Sequence, residues 1–132
     1  MLTGTKTRAG VINVGPEALR KSCEDQLAYP LTPIAATLRD EGMAVGVVTT
    51  TRITHATPAG MAANVAKRNM QFEIAEQYLQ REVDVLLGGG LEHFHHETRP
   101  DRRDLFQEFE EHGYALASDN REMMDRSATS ER

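Results

Sequence analysis

Residues 43–51 read Met-Ala-Val-Gly-Val-Val-Thr-Thr-Thr, a short run whose apolar and β-branched side chains fall on both faces of an extended chain. Such a run is typical of a strand buried on both faces of a parallel sheet. A similar run, Val-Asp-Val-Leu-Leu, occupies residues 83–87 and leads into three glycines. A shorter run, Tyr-Ala-Leu-Ala, occupies residues 114–117. The sequence therefore predicts three strands.

Helical patterns flank these strands. Thr32 and Thr57 are each followed by a proline, which favours the first position of a helix, while Gly42 and Gly113 supply stop signals. The predicted helices cover residues 33–41, a segment that opens at Thr57, residues 72–81 and residues 102–112. Ile34, Leu38 and the alanines between them are expected on the apolar face of the first helix. In the helix at residues 72–81, Ile74, Tyr78 and Leu79 are expected to face inward. Helices between strands indicate crossover connections, so we expect an α/β fold with a mostly parallel sheet.

The chain has the length of one ordinary domain. We expect residues 1–118 to form a partial α/β domain and the polar residues 119–132 to form a disordered tail. Because residues 43–51 and 83–87 are apolar on both faces, structure outside the 132 residues is expected to cover them.

Composition argues against two classes of partner. The net charge is −5, acidic and basic residues are interleaved, and aromatic residues make up only 5% of the chain, so no nucleic-acid surface is expected. No apolar stretch is long enough to span a membrane. Residues 1–6 lack the apolar segment of a signal peptide, which predicts a cytoplasmic chain as the sequence is written. Cys23 is the single cysteine, so no intrachain disulfide can form.

Four blocks carry a family resemblance. They are Thr-Gly-Thr-Lys-Thr at residues 3–7, Val-Gly-Val-Val-Thr-Thr-Thr-Arg-Ile-Thr-His-Ala-Thr-Pro-Ala-Gly at residues 45–60, Asn-Val-Ala-Lys-Arg-Asn at residues 64–69, and Asp-Val-Leu-Leu-Gly-Gly-Gly at residues 84–90. In this order they resemble consecutive blocks of the alkaline phosphatases, over residues 3–118. The resemblance implies part of that family's three-layer α/β fold.

For the complete enzyme, the resemblance implies hydrolysis of phosphate monoesters through a phosphoserine intermediate. Two zinc ions and one magnesium ion are the implied cofactors. The family is commonly homodimeric and is periplasmic or extracellular.

The resemblance assigns roles to three residues. Arg68 matches the arginine that grips the phosphate, a task for which the planar guanidinium is well suited. Thr57 matches the threonine whose hydroxyl coordinates magnesium, a cation that prefers hard oxygen ligands. His55 stands where many members carry an acidic residue. Because an imidazole is a poor magnesium ligand, we expect His55 to contact a metal-bound water instead.

Local sequence alone also allows ordinary explanations for these residues. Thr57 fits a helix N-cap, Arg68 a solvated helix residue, and His55 a surface residue. Thr57 and Arg68 are 11 positions apart, which is about 16 Å along a straight helix. They fit one site only if the helix ends or bends before Arg68, or if bound ions bridge the gap.

The parts needed for catalysis match no residue of this chain. The family's nucleophile lies in an Asp-Ser-Ala block that would precede residue 1, and Ser127-Ala-Thr is only a partial look-alike. His93, His95 and His96 could hold zinc, but the resemblance assigns no ligand to them, and an exposed polar run is the expected reading. We therefore expect a segment of an alkaline phosphatase that is inactive alone. The alternative is a non-catalytic module that binds phosphate or pairs with a partner, either a second copy or the remainder of the enzyme.

Overall fold

The computed structural model describes residues 2–18, 24, 28–119 and 121–124. Along them the chain forms, in order, α1 (Ile34–Asp40), β1 (Gly46–Arg52), α2 (Ala56–Ala59), α3 (Gln71–Gln80), β2 (Val85–Gly89), a 3-10 turn (Leu91–His93) and α4 (Leu105–Glu111). Cys23 and residues 125–132, which include the Ser127 look-alike, lie outside the described residues. Of the predicted tail, residue 119 and a helical turn at residues 121–124 are described.

The sheet is parallel, as the sequence predicts. β1 pairs with β2, with Gly46 opposite Val85 and Val48 opposite Leu87, and the register shifts before Arg52. Helices α2 and α3 lie on the crossover between the two strands. The α/β class is therefore confirmed.

The predicted third strand at residues 114–117 is wrong. Among the described residues the sheet has two strands, and residues 114–117 are irregular. Tyr114 and Leu116 instead pack against the core, and the Tyr114 ring meets the Phe109 ring edge-on at 4.8 Å. The alternating apolar pattern thus reflects packing against α4 and not strand pairing.

The predicted starts of α1 and α4 are also wrong. Pro33, not Thr32, occupies the N-cap of α1, and this N-cap makes no side-chain hydrogen bond. On the predicted apolar face of α1, Ala35 is buried and Leu38 packs against the core, as expected, whereas Ile34 is 41% exposed, so the prediction is wrong for Ile34 alone. Asp104 caps α4 by accepting hydrogen bonds from the amides of the second and third helical residues, so this helix starts later than predicted.

The core lies under one face of the sheet. Buried side chains from β1, from the segment after α2, from α3 and the residues that follow it, and from α4 form one cluster, which includes Val47, Ala62, Val65, Ile74, Tyr78, Leu79, Val83, Leu105 and Phe109. The inward positions expected for α3 are confirmed. None of the helices in the described part of the chain is long and apolar enough to cross a membrane.

The other face of the sheet is uncovered. Val48 is 72% exposed, and Val85 and Leu87 are also exposed, although the sequence predicts strands buried on both faces. Because Val48 pairs with Leu87, and side chains two apart share a face, these three residues form one apolar surface, called here the open face. Within the described residues, helices and loops cover only the Val47 side.

The glycines at the end of β2 and just after it have different reasons for being there. Gly90 has a φ of +98°, which favours glycine and begins the 3-10 turn. At Gly88, inside the strand, an added Cβ would lie 2.8 Å from the Thr49 side chain and 3.1 Å from the Thr51 carbonyl oxygen. A turn therefore explains Gly90, whereas Gly88 permits the close approach of the two strands.

Candidate functional site

The turn after β1 carries two of the three predicted site residues. The His55 amide donates to the Arg52 carbonyl oxygen at 2.9 Å, and His55 then serves as the N-cap of α2. Thr57 is the second residue of that helix, so the N-cap explanation for Thr57 is wrong. Its side chain is exposed, and its hydroxyl makes no hydrogen bond to another described residue.

Helix α2 is only four residues long and ends at Ala59. The chain then doubles back through an irregular segment, residues 60–70, called here the Arg68 loop. The separation along a straight helix therefore does not apply to Thr57 and Arg68.

The Arg68 side chain returns to the turn after β1. Its Nη2 lies 3.2 Å from Nε2 of His55, and its backbone amide donates to the Gly10 carbonyl oxygen at 2.8 Å. Because a guanidinium can only donate, Nε2 of His55 accepts this hydrogen bond and the ring proton sits on Nδ1. Among the described residues, no carboxylate pairs with Arg68. The structure thus brings the Arg68 side chain into contact with His55, which lies two residues before Thr57.

Two side chains of α3 form hydrogen bonds with the turn after β1. The buried Thr54 hydroxyl donates to Oε1 of Gln71 at 2.7 Å, and the Tyr78 hydroxyl donates to the Ile53 carbonyl oxygen at 2.9 Å. Burial raises the pKa of Tyr78, which keeps the hydroxyl protonated as a donor. Gln71 and Tyr78 are seven residues apart and therefore share one helix face.

Sequence reasoning missed Thr54 and Gln71. Thr54 ends a β-branched run and has no distinctive neighbour pattern. The available signal was Gln71, a polar residue one helical repeat before the inward-facing Tyr78.

Two asparagines fix the Arg68 loop from the opposite side. Asn13 donates through Nδ2 to the carbonyl oxygens of Gly60 and Ala63 at 2.7 and 2.9 Å. Asn64 donates to the carbonyl oxygens of Asn13 and Leu31, and its Oδ1 accepts from Arg81. Both asparagines are buried. The loop that carries Arg68 is therefore fastened by satisfied, uncharged amide groups.

The described residues of the predicted site can offer magnesium one hydroxyl oxygen, and they do not fit a zinc site. They contain no group of three or more His, Cys, Asp or Glu side chains that could hold a metal ion. A zinc site needs three or four nitrogen, sulfur or carboxylate ligands. The Thr57 hydroxyl can supply one hard oxygen to magnesium, which fills its remaining positions with other oxygens and water.

The histidine run after β2 is only partly the exposed polar segment that the sequence predicts. The His95 and His96 rings stack at 4.5 Å, and Nδ1 of His96 lies 2.9 Å from Oδ2 of Asp104. The prediction is wrong for His93, whose side chain is 12% exposed because its ring packs against the edge of Phe72 at 5.4 Å. Its two ring nitrogens lack a hydrogen-bond partner among the described residues.

Comparison with known proteins gives consistent relatives. A family model described as alkaline phosphatase matches residues 1–132. The tissue-nonspecific alkaline phosphatase of Gallus gallus is 34% identical over 105 residues, covering 67% of this chain and 20% of that protein. Alkaline phosphatase 3 of Bacillus subtilis is 37% identical over 92 residues, covering 65% of this chain and 19% of that protein.

The solved structures that this chain resembles are also alkaline phosphatases. The Thermus thermophilus alkaline phosphatase crystal structure superposes with a TM-score of 0.80 at 36% identity, over 92% of this chain and 24% of its own. A histidine-to-glutamate mutant of the TAB5 alkaline phosphatase, described with magnesium in its M3 site, has a TM-score of 0.74 at 26% identity, over 88% of this chain and 30% of its own. The chain thus spans between 19% and 30% of the length of these relatives.

Proposed function

Because the chain belongs to the alkaline phosphatase family, we propose that it supplies the phosphate-gripping arginine and one magnesium ligand of a phosphate monoester hydrolase. The observation that carries the proposal is the contact between Arg68 and His55 in the turn after β1. This turn follows the carboxyl end of a parallel strand, which is where open α/β sheets bind their ligands.

Arg68 has the chemistry for the phosphate role. With no described carboxylate as partner, its guanidinium keeps most of its five N–H donors for an anion. The hydrogen bond to His55 takes one donor and orients the fork. A fork held in this way can present two parallel N–H groups to two phosphate oxygens.

Thr57 and His55 have the chemistry for the magnesium role. The Thr57 hydroxyl offers an oxygen ligand, and Nδ1–H of His55 is left to donate to a water molecule. A magnesium ion bound there would neutralise negative charge beside the phosphate. The nucleophilic serine and the zinc ligands of the family match no residue of this sequence, so we expect the 132 residues alone to lack catalysis.

A phosphate titration of the chain, followed by NMR at constant ionic strength, tests the proposed grip. The native chain is expected to bind inorganic phosphate more tightly than the Arg68→Ala variant. Lys67→Ala is the matched control, because it removes one exposed positive charge from the neighbouring position. Equal affinities for the native chain and Arg68→Ala would rule out the site. Turnover of p-nitrophenyl phosphate by the purified chain with zinc and magnesium would contradict the expected lack of activity.

A second proposal concerns partner pairing, and the open face favours it. Parallel sheets occur almost only with both faces covered, and unpaired sheet edges attract further strands. We propose that the remainder of an alkaline phosphatase covers Val48, Val85 and Leu87, and that a second copy does so when the chain is alone. Sedimentation should then give a dimer or larger species, and Val48→Lys with Leu87→Lys should give a monomer. A monomeric native chain would contradict self-association.

A further inference from the structure

Two hydrogen bonds join the two arms of the candidate site. The first arm, residues 53–57, contains His55 and Thr57, and the second arm, residues 68–71, begins with Arg68. At the surface, His55 meets Arg68 at 3.2 Å. Closer to the core, the Thr54 hydroxyl donates to Oε1 of Gln71 at 2.7 Å, and this contact is called here the lower hydrogen bond.

The lower hydrogen bond is the better placed to fix the spacing of the arms. Thr54 has an exposed fraction of 0% and Gln71 is half-buried, so water reaches this hydrogen bond less than it reaches the exposed contact between His55 and Arg68. A hydrogen bond shielded from water is electrostatically stronger, and breaking it leaves a polar group without a partner.

Both ends of the lower hydrogen bond rest on rigid structure. Gln71 is the first residue of α3, whose Ile74 and Tyr78 are fully buried. Tyr78 holds the Ile53 carbonyl oxygen one residue before Thr54. Helix α3 therefore hydrogen-bonds to the first arm at two points, through Gln71 and Tyr78, and its first residue, Gln71, belongs to the second arm.

We propose that Thr54 and Gln71 are positioning residues for Arg68. Their hydrogen bond, whose donor Thr54 is buried, sets the separation of the arms and thereby the orientation in which the Arg68 guanidinium meets a phosphate. This inference rests on the proposed phosphate-binding role of Arg68. Neither residue touches the phosphate in this proposal, and both act through Arg68.

The test measures phosphate affinity by NMR titration together with the thermal unfolding midpoint. Thr54→Val keeps the side-chain shape and removes the hydroxyl, so phosphate affinity should fall by about fivefold, the size of one net hydrogen bond. Thr54→Ser keeps the hydroxyl and should restore the affinity. Thr98→Val is the matched control, because the Thr98 hydroxyl donates to the His95 carbonyl oxygen in a loop outside the site.

A double-mutant cycle separates positioning from a general structural role. If Thr54 acts through Arg68, Thr54→Val should have no further effect on phosphate affinity in the Arg68→Ala background. A Thr54→Val variant that unfolds at a lower temperature but binds phosphate like the native chain would overturn the inference. If Thr54→Val does not fold, Gln71→Met removes the acceptor and is judged by the same criteria.

The two proposals fail in different ways. Equal phosphate binding by the native chain and Arg68→Ala would contradict the proposed function, and with it the positioning role. Weaker binding by Arg68→Ala together with native-like binding by Thr54→Val would contradict the positioning role alone.

Discussion

The Arg68 loop and the segment after β2 are both irregular, yet they are held in place by different chemistry. Neutral amide groups of Asn13 and Asn64, both buried, fasten the Arg68 loop. The segment at residues 90–104, called here the post-β2 loop, depends on ionised side chains. Uncharged contacts do not respond to pH, whereas ion pairs do, so the two loops should respond differently to acid and to charge-removing substitutions.

The charged contacts of the post-β2 loop centre on one buried arginine. Arg99 pairs with Asp101 through Nε at 2.9 Å and donates to the carbonyl oxygens of Phe72 and His93. Its side chain is 1% exposed, whereas that of Asp101 is 40% exposed. The loop therefore encloses a charge that Asp101, two carbonyl oxygens and the face of the Phe72 ring, 5.5 Å away, compensate.

Removing that buried charge should have the largest effect on stability. Arg99→Ala deletes the donor for two carbonyl oxygens and leaves a cavity, so the free energy of unfolding should fall by about 3 kcal/mol. Urea denaturation monitored by circular dichroism measures the change. Arg102→Ala, which removes an exposed arginine from the same loop, should cost little. Equal losses for the two variants would contradict the assigned role of Arg99.

Breaking the hydrogen bonds of Asn13 and Asn64 that fasten the Arg68 loop, called here the clamp, should have the second largest effect on stability. Asn64→Ala removes donors to two carbonyl oxygens and the acceptor for Arg81, so the free energy of unfolding should fall by about 2 kcal/mol. This loss should be the same at pH 7 and pH 5, because no group in the clamp titrates in that range. Asn69→Ala, at an exposed position of the same loop, is the control. A strongly pH-dependent loss would break the comparison between the loops.

Mild acid should weaken the post-β2 loop through His93. Burial is the largest cause that lowers the pKa of His93 below its ordinary value of 6.5; Arg52 and Arg99 lower it further, while Glu92 opposes the shift. The unfolded chain thus takes up the proton more readily. The stabilisation is complete above pH 6.5 and is lost as the pH falls from there through the lowered pKa of the folded state.

The measurement is urea denaturation at pH 7 and pH 5. His93→Phe should flatten the pH dependence of stability in this window relative to that of the native chain. An unchanged slope of stability against pH in His93→Phe would contradict the assignment.

A second loss of stability should appear in stronger acid, because the hydrogen bond from Arg99 holds the pKa of Asp101 below its ordinary value.

The smallest effect is expected for the ion pair that ties α3 to the post-β2 loop. Arg103 pairs with Glu76, and their side chains are 37% and 30% exposed. Glu76→Gln should therefore lower the free energy of unfolding by only about 0.5 kcal/mol, and added salt should shrink the difference. Glu73→Gln, at an exposed position of the same helix, is the control for charge alone. A loss near that of Arg99→Ala would contradict the ranking.

The fold was predictable where the signal is local. The apolar runs located β1 and β2, and Gly42 and Gly113, with φ values of +77° and +88°, end their helices as their identity predicts. The third strand was misjudged because alternation reports which side chains are buried, not whether the backbone pairs. Tyr114 is half-buried against Phe109 with no strand beside it.

The candidate site was predictable only in part, for a similar reason. Family resemblance pointed to His55, Thr57 and Arg68, and their assigned roles stay predictions. The contact between His55 and Arg68 depends on α2 ending after four residues, and the Thr57-Pro58 start signal does not predict so early an end. The hydrogen bond from Thr54 to Gln71 depends on how α3 packs against β1, which neither residue's neighbours reveal.

The early end of α2 also bears on the order of folding. Because the chain doubles back at once, the groups that join the two arms are 17 residues apart, whereas the Val45 amide and the Asp84 carboxylate that it contacts beside the sheet are 39 apart. Closing a shorter loop costs less chain entropy and is faster. We expect the arms of the site to meet before the strands pair, so that amides of α3 and the Arg68 loop gain protection first in pulsed hydrogen exchange during refolding.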